Sequence, residues 1–202
     1  MSINYTTAPV HSKNSRTVNG NWQAVTNYSK PRDSNSFQRV LLKANGTVTA
    51  MLEAYLAEPI QVVKLSEHLT NMKLELPNLQ SDKEELVIAR KVLLQGKNSQ
   101  CNFIYADSLI LINNLDKRFS SSLLNTKIPI GKLWSEHKVE TYKEIINSGI
   151  EPAHQLAKYF GIESQENLLF RTYAVYSQGK ITMIITEKFP ERDFASQIPL
   201  AS

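Results

Sequence analysis

Three charged residues stand where the surrounding pattern calls for apolar ones, and any chemistry in this chain is sought there first. From Lys180 to Phe189 the residues alternate like a strand. Ile181, Met183, Ile185, Glu187 and Phe189 share one face; Lys180, Thr182, Ile184, Thr186 and Lys188 share the other. Just upstream, Leu169, Arg171, Tyr173 and Val175 share a face, and Leu86, Ile88, Arg90, Val92 and Leu94 do the same in a third run. A carboxylate or guanidinium on an apolar face is costly unless it is paired or set in a polar pocket. Two readings follow. Arg90, Arg171 and Glu187 form a buried ion network that only satisfies itself, or they line a partly dry pocket for a small anion with an apolar body. An arginine fork suits a carboxylate because it grips both oxygens. Two arginines against one glutamate leave a spare positive charge, which favours an anionic ligand.

Other chemistries lack their residues. His11, His68, His137 and His154 are scattered without a Cys or His partner at ligand spacing, so no structural metal site is expected. There is no glycine-rich phosphate loop, GxSxG elbow or HExxH. Ser120-Ser121-Ser122 reads as a polar helix face or loop. The single cysteine, Cys101, sits beside a turn with no activating partner and is read as inert.

The elements that must position the three charges can be read along the chain. Ordered structure is expected from Phe37. Val40-Leu41-Leu42 runs into Asn45-Gly46, and Thr47 is a good N-cap for a helix carrying Val48, Met51, Leu52, Tyr55 and Leu56 as an apolar stripe. Ile60 to Leu65 reads as a short strand and 66–81 as a surface excursion. Ser81-Asp82-Lys83-Glu84 matches a capping box, but the Arg90 strand follows it more naturally than a helix. A turn at Gln95-Gly96-Lys97-Asn98 leads into a β-rich run over 102–112. Helices are expected over 116–125, 135–147 and from Pro152 to Gly161, with Ile128-Pro129-Ile130-Gly131 between the first two. The last two strands flank Ser177-Gln178-Gly179-Lys180, a turn of hairpin length. Strands linked by tight turns, with helices between the groups, predict an α+β domain: a single antiparallel sheet with flanking and capping helices.

Length and charge set the frame. The 202 residues, 42% hydrophobic and 21% charged, suit one domain (37–202) behind a polar basic extension (1–36), on which Trp22 and Tyr28 are possible surface anchors. Of the chain's 23 basic and 19 acidic residues, six basic and one acidic (Asp33) lie before Ala44, a net +5. The remaining 17 and 18 leave −1, so the basicity belongs to the extension. The folded part has no aromatic–basic interleaving, and nucleic acid is not expected as a partner. One cysteine, no membrane-length apolar run and no signal-like N-terminus predict a cytoplasmic protein without membrane insertion.

Four patches, taken in order, resemble the chorismate pyruvate-lyase (4-hydroxybenzoate synthase) family in its divergent bacterial branch. They are Asn45-Gly46-Thr47-Val48-Thr49 with Leu52 and Glu53; Ala89-Arg90-Lys91-Val92-Leu93-Leu94; Ile128-Pro129-Ile130-Gly131-Lys132; and Gly179-Lys180 through Thr186-Glu187 to Phe189-Pro190. The resemblance covers Phe37 to Pro190. It implies that Arg90 and Glu187 are catalytic and contact the ligand, with Val48 as an apolar contact and Ile130 and Gly131 as a backbone contact. Val48 stands where a family member has methionine, and Ile130 replaces leucine. Arg171 aligns more loosely, as a candidate for the second carboxylate or for charge at the departing ether oxygen.

The activity implied is a carbon–oxygen lyase that needs no metal or cofactor. It cleaves chorismate to 4-hydroxybenzoate and pyruvate, a first step toward a quinone ring precursor, and works as a monomer or homodimer. The same fold resembles the effector-binding domain of GntR-type regulators, which sense ligands without turning them over. Those regulators carry an N-terminal winged helix, for which the extension here is too short and too polar.

Overall fold

The computed structural model describes residues 36–76, 79–125 and 128–194; most of the expected N-terminal extension, with Trp22 and Tyr28, lies outside them. In chain order the elements are α1 (Ser36–Lys43), α2 (Val48–Leu56), β1 (Ile60–Leu76), β2 (Leu79–Gly96), β3 (Asn102–Leu111), α3 (Lys117–Asn125), α4 (Ile130–Glu136), β4 (Tyr142–Pro152), α5 (Ala157–Phe160), β5 (Asn167–Ser177) and β6 (Lys180–Pro190). The six strands form one sheet in the order β1-β2-β3-β6-β5-β4, and every neighbouring pair is antiparallel. The expected α+β architecture is the one observed.

The β5–β6 hairpin turns at Gln178 and Gly179, both in the left-handed region (φ 51° and 74°). Two consecutive left-handed residues give a tight turn whose twist matches that of its strands. α2 has the expected span and buries Val48 and Leu52. Thr47 occupies its N-cap, although the threonine side chain makes no capping hydrogen bond.

One sheet face carries α1 to α4, whereas α5 packs on the other beside Leu168 and Tyr105. α1 and α2 pack Leu41, Leu42, Val48 and Leu52 onto Val62, Val92, Leu94 and Phe189. α3 and α4 pack Phe119, Leu123, Leu133 and Trp134 onto Ile88, Ile110, Tyr173 and Ile185. The sheet face between the two clusters is where the unusual charges lie.

Three expectations are corrected. The described residues of 66–81 are strand and not a surface excursion: β1 and β2 pair antiparallel out to Leu76 and Leu79. The outer part of this pair brings Leu74 into a buried cluster with Val87, Leu109, Leu111 and Ile184 on the opposite sheet face. Second, the helix expected over 135–147 is absent. α4 ends at Glu136, and 142–152 is strand β4, with an extra residue between Ile145 and Asn147 in its pairing with β5. That bulge leaves Ile146 and Asn147 on one face, so the helix-covered set passes from Lys143 and Ile145 to Ser148 and Ile150, which destroys the strand alternation in the sequence. Third, the segment from Pro152 to Gly161 is helical only in a single turn at 154–156 and in α5. Among the described residues no helix is long and apolar enough to cross a membrane.

Candidate active site

Arg90 enters the sheet from β2, Glu187 from β6 and Arg171 from β5, all on the helix-covered face. Glu187 lies directly opposite both Arg171 on β5 and Ala106 on β3, and Arg90 lies opposite Ser108. The side chain of Arg171 is 1% exposed and donates from Nε to Glu187 Oε2 at 2.7 Å. Its Nη1 donates to the carbonyl of Ala44 at 2.9 Å. The other Glu187 oxygen accepts from the Tyr173 hydroxyl at 2.9 Å. Burial first, then the Glu187 charge, push the Tyr173 phenol well above its ordinary pKa, so it stays a donor. Burial pulls Arg171 down, but Glu187 and Tyr173 together more than offset this and leave its pKa raised.

Arg90 is held differently. It is 2% exposed, and its nearest counter-charge is Glu67, with Nε 3.4 Å from Oε2 and no hydrogen bond between them. Arg90 Nε and Nη1 are buried with no hydrogen-bond partner among the described residues. Burial lowers the Arg90 pKa and Glu67 restores only part of it, yet a guanidinium stays charged at any working pH. Glu67 is also gripped by Lys64 at 2.6 Å, so its charge is shared.

The cavity in front of these charges lies between α2, α4 and the sheet. Counted together with its open mouth, its empty space is about 520 Å³. Val48, Arg90, Ile130, Gly131 and Glu187 all line it. Arg171 does not; its side chain stands behind Glu187. The wall is otherwise mostly apolar, with Val62, Val92, Trp134 and Ile185. The first turns of α2 and α4 meet there, and the N–H groups opening a helix have no intrahelical acceptor. The approach is close: a Cβ on Gly131 would lie 2.9 Å from Thr47 Cβ and Cγ2. Across the same contact, Lys132 Nζ reaches Glu53 Oε1 at 2.7 Å.

Two charges at the site escaped the sequence reading. Lys143, expected in a helix, is a β4 residue that lines the cavity and is 6% exposed. Its Nζ donates to the carbonyl of Gly46 at 2.8 Å and sits over the rings of Trp134 (5.0 Å) and Tyr173 (5.3 Å). Glu67 is the other. Without the β1 bulge at Leu65, period two would put Glu67 on the face opposite Val62. The shift between Lys64 and Ser66 sets it opposite Arg90 instead. Reading 142–152 as a strand would have paired Lys143 with Ile145; nothing in the sequence marks the Leu65 bulge.

A model of the family described as chorismate pyruvate-lyase Rv2949c-like matches residues 42–195. Chorismate pyruvate-lyase of Mycobacterium leprae is 31% identical over 152 residues, covering 75% of this chain and 72% of that protein. Chorismate pyruvate-lyase of Mycobacterium tuberculosis (strain CDC 1551 / Oshkosh) is 31% identical over 162 residues, 78% of this chain and 81% of that protein. Among solved structures, the effector domain of PhnF from Mycobacterium smegmatis matches with a TM-score of 0.56 at 11% identity, covering 74% of this chain and 91% of that domain. Gene product SA0254 from Staphylococcus aureus matches at 0.53 and 16%, covering 79% and 96%. At such identities the two structures speak for the fold alone.

Proposed function

Since the chain belongs to the chorismate pyruvate-lyase Rv2949c-like family, we propose that it cleaves chorismate to 4-hydroxybenzoate and pyruvate in this cavity. One observation carries the reading. Arg90 is buried with two N–H donors unmatched, at the wall of a largely apolar cavity that Glu187, two strands away, also lines. Unmatched donors on a buried cation are costly unless something that enters the cavity accepts from them. A ring carboxylate is an acceptor of the right charge and shape, and the apolar wall suits the ring behind it.

In the proposed mode Arg90 holds the ring carboxylate, assisted by the first N–H groups of α4 at Ile130 and Gly131. Val48 and Trp134 pack the ring. Glu187 reaches the C4 hydroxyl and takes the C4 proton. The electrons of the C4–H bond close the aromatic ring, the C3–O bond breaks, and its electron pair leaves on the ether oxygen as enolpyruvate. Returning one proton to the terminal carbon of that fragment gives pyruvate, so the atoms and charge of chorismate equal those of the two products. Aromatisation drives the step, and the protein's share is to hold a reactive conformer away from water. Arg171 acts here as a positioning residue, since it and Tyr173 fix the Glu187 carboxylate while leaving lone pairs for the substrate.

The test is incubation with chorismate, following pyruvate by a coupled assay and 4-hydroxybenzoate by chromatography, with Arg90→Ala and Glu187→Gln alongside. Equal amounts of both products from the wild type, and neither from the variants, are expected. No products, with a melting temperature that rises on adding 4-hydroxybenzoate, would replace the lyase by a ligand sensor of the same fold.

A further inference from the structure

Lys143 is the one buried ammonium on the cavity wall among the described residues, and the sheet topology says which part of a ligand it meets. Arg90 on β2 and Lys143 on β4 stand four strand spacings apart, with β3, β6 and β5 between them. At about 4.8 Å per spacing, the two side chains enter the cavity from opposite ends and reach inward, with Glu187 on β6 between them and its charge acting on Lys143. In a ring gripped at its carboxylate by Arg90 and at its para hydroxyl by Glu187, the substituent next to that hydroxyl lies toward the Lys143 end. In chorismate that substituent is the enolpyruvyl ether, which carries the second carboxylate.

The surroundings of Lys143 fit a cation waiting for a partner. It donates to one backbone carbonyl, Gly46, at 2.8 Å and rests on two aromatic rings. The carboxylate whose charge acts on it, Glu187, is already engaged by Arg171 and Tyr173. An ammonium has three donors, so two remain for a ligand. Arg171, by contrast, is outside the cavity wall, with Nε given to Glu187 and Nη1 to Ala44, although its Nη2 is unmatched among the described residues.

We propose that Lys143 binds the carboxylate that departs with the three-carbon fragment, so that the pocket reads its substrate as a dianion with one cation for each end. The proposal rests on the lyase reading and extends it. It makes Lys143 a substrate-binding residue that separates chorismate, with two carboxylates, from 4-hydroxybenzoate, with one.

The experiment uses the full chain with Lys143→Met and Lys143→Arg. It measures KM and kcat for chorismate and, by calorimetry, the Kd for 4-hydroxybenzoate. In Lys143→Met the KM for chorismate is expected to rise about 10- to 100-fold, the size of a lost charged hydrogen bond, with the Kd for 4-hydroxybenzoate essentially unchanged. Lys143→Arg, which keeps the charge, is expected to recover most of the loss. A merely structural lysine would weaken both ligands together, and that result overturns the assignment. Wild-type turnover with an unchanged KM in Lys143→Met overturns the assignment and leaves the lyase standing. A wild type that forms no pyruvate overturns the lyase reading, and the assignment falls with it.

Discussion

Arg90 and Glu67 face each other across β1 and β2 at 3.4 Å without a hydrogen bond, whereas Arg171 and Glu187 are locked at 2.7 Å. The same two residue types thus form two different devices on one sheet face. The tight pair builds the site, and the loose pair leaves a guanidinium available to a ligand.

That difference gives the first prediction. Glu67 competes with a ligand for Arg90, so Glu67→Gln is expected to tighten 4-hydroxybenzoate binding severalfold while lowering stability by about 1–3 kcal/mol, because Arg90 loses its counter-charge. Calorimetric titration beside urea unfolding checks both. Weaker binding would mean that Glu67 orients Arg90 and does not compete.

Arg171→Met leaves the Glu187 carboxylate buried with Tyr173 as its remaining hydrogen-bond partner. A loss of about 3–5 kcal/mol is expected, as for a broken buried ion pair. The double variant Arg171→Met, Glu187→Met is expected to be more stable than Arg171→Met alone, since no charge is then stranded. Thermal unfolding of the three proteins checks the order.

Gly131→Ala places a methyl 2.9 Å from the Thr47 side chain and forces α4 away from α2. The expected cost is about 1–3 kcal/mol, with weakened ligand binding because both helices line the cavity. Thr47→Gly removes the obstructing atoms and is expected to restore part of the binding in the double variant. An equal loss in both would place the effect elsewhere.

Burial lowers the Lys143 pKa to about 8; Glu187 opposes this and Arg171 adds to it. The groups that bear on it are Glu187 on β6, Arg171 and Tyr173 on β5, and Arg90 across the cavity on β2; Trp134 of α4 does not titrate. A lysine whose folded pKa lies below its unfolded value binds fewer protons folded than unfolded between pH 8 and 10.5. Stability therefore rises with pH across that window, by on the order of 2 kcal/mol in wild type relative to Lys143→Met. Tyr173, raised well above its ordinary value, acts in the opposite sense above pH 10, which is why the comparison with Lys143→Met is needed. Chorismate binding should run the other way: KM rises above pH 8 in wild type and stays flat in Lys143→Arg. Chemical unfolding and initial rates at each pH check both slopes.

Much of this protein could be read in one dimension because local alternation is a local property. The stripe of α2, the Gln178-Gly179 turn and the inward faces of β2, β5 and β6 need only period and turn chemistry. They sufficed to place Arg90, Arg171 and Glu187 on one face, and the α+β antiparallel class came with them. What the sequence could not carry is whatever breaks the period or joins distant strands. The bulges at Leu65 and Ile146 shift the parity of β1 and β4 by one residue, which brings Glu67 to Arg90 and lets Lys143 share the site while 142–152 still reads as a helix. Only the strand order β1-β2-β3-β6-β5-β4 decides that Lys143 enters the cavity from the end opposite Arg90. Only the bonds that tie Arg171 to Glu187 and to the distant Ala44 carbonyl decide that it supports the wall and does not form it. Residue types and their alternation determined which charges face inward; contacts between segments far apart in the chain decided which of them a ligand can reach.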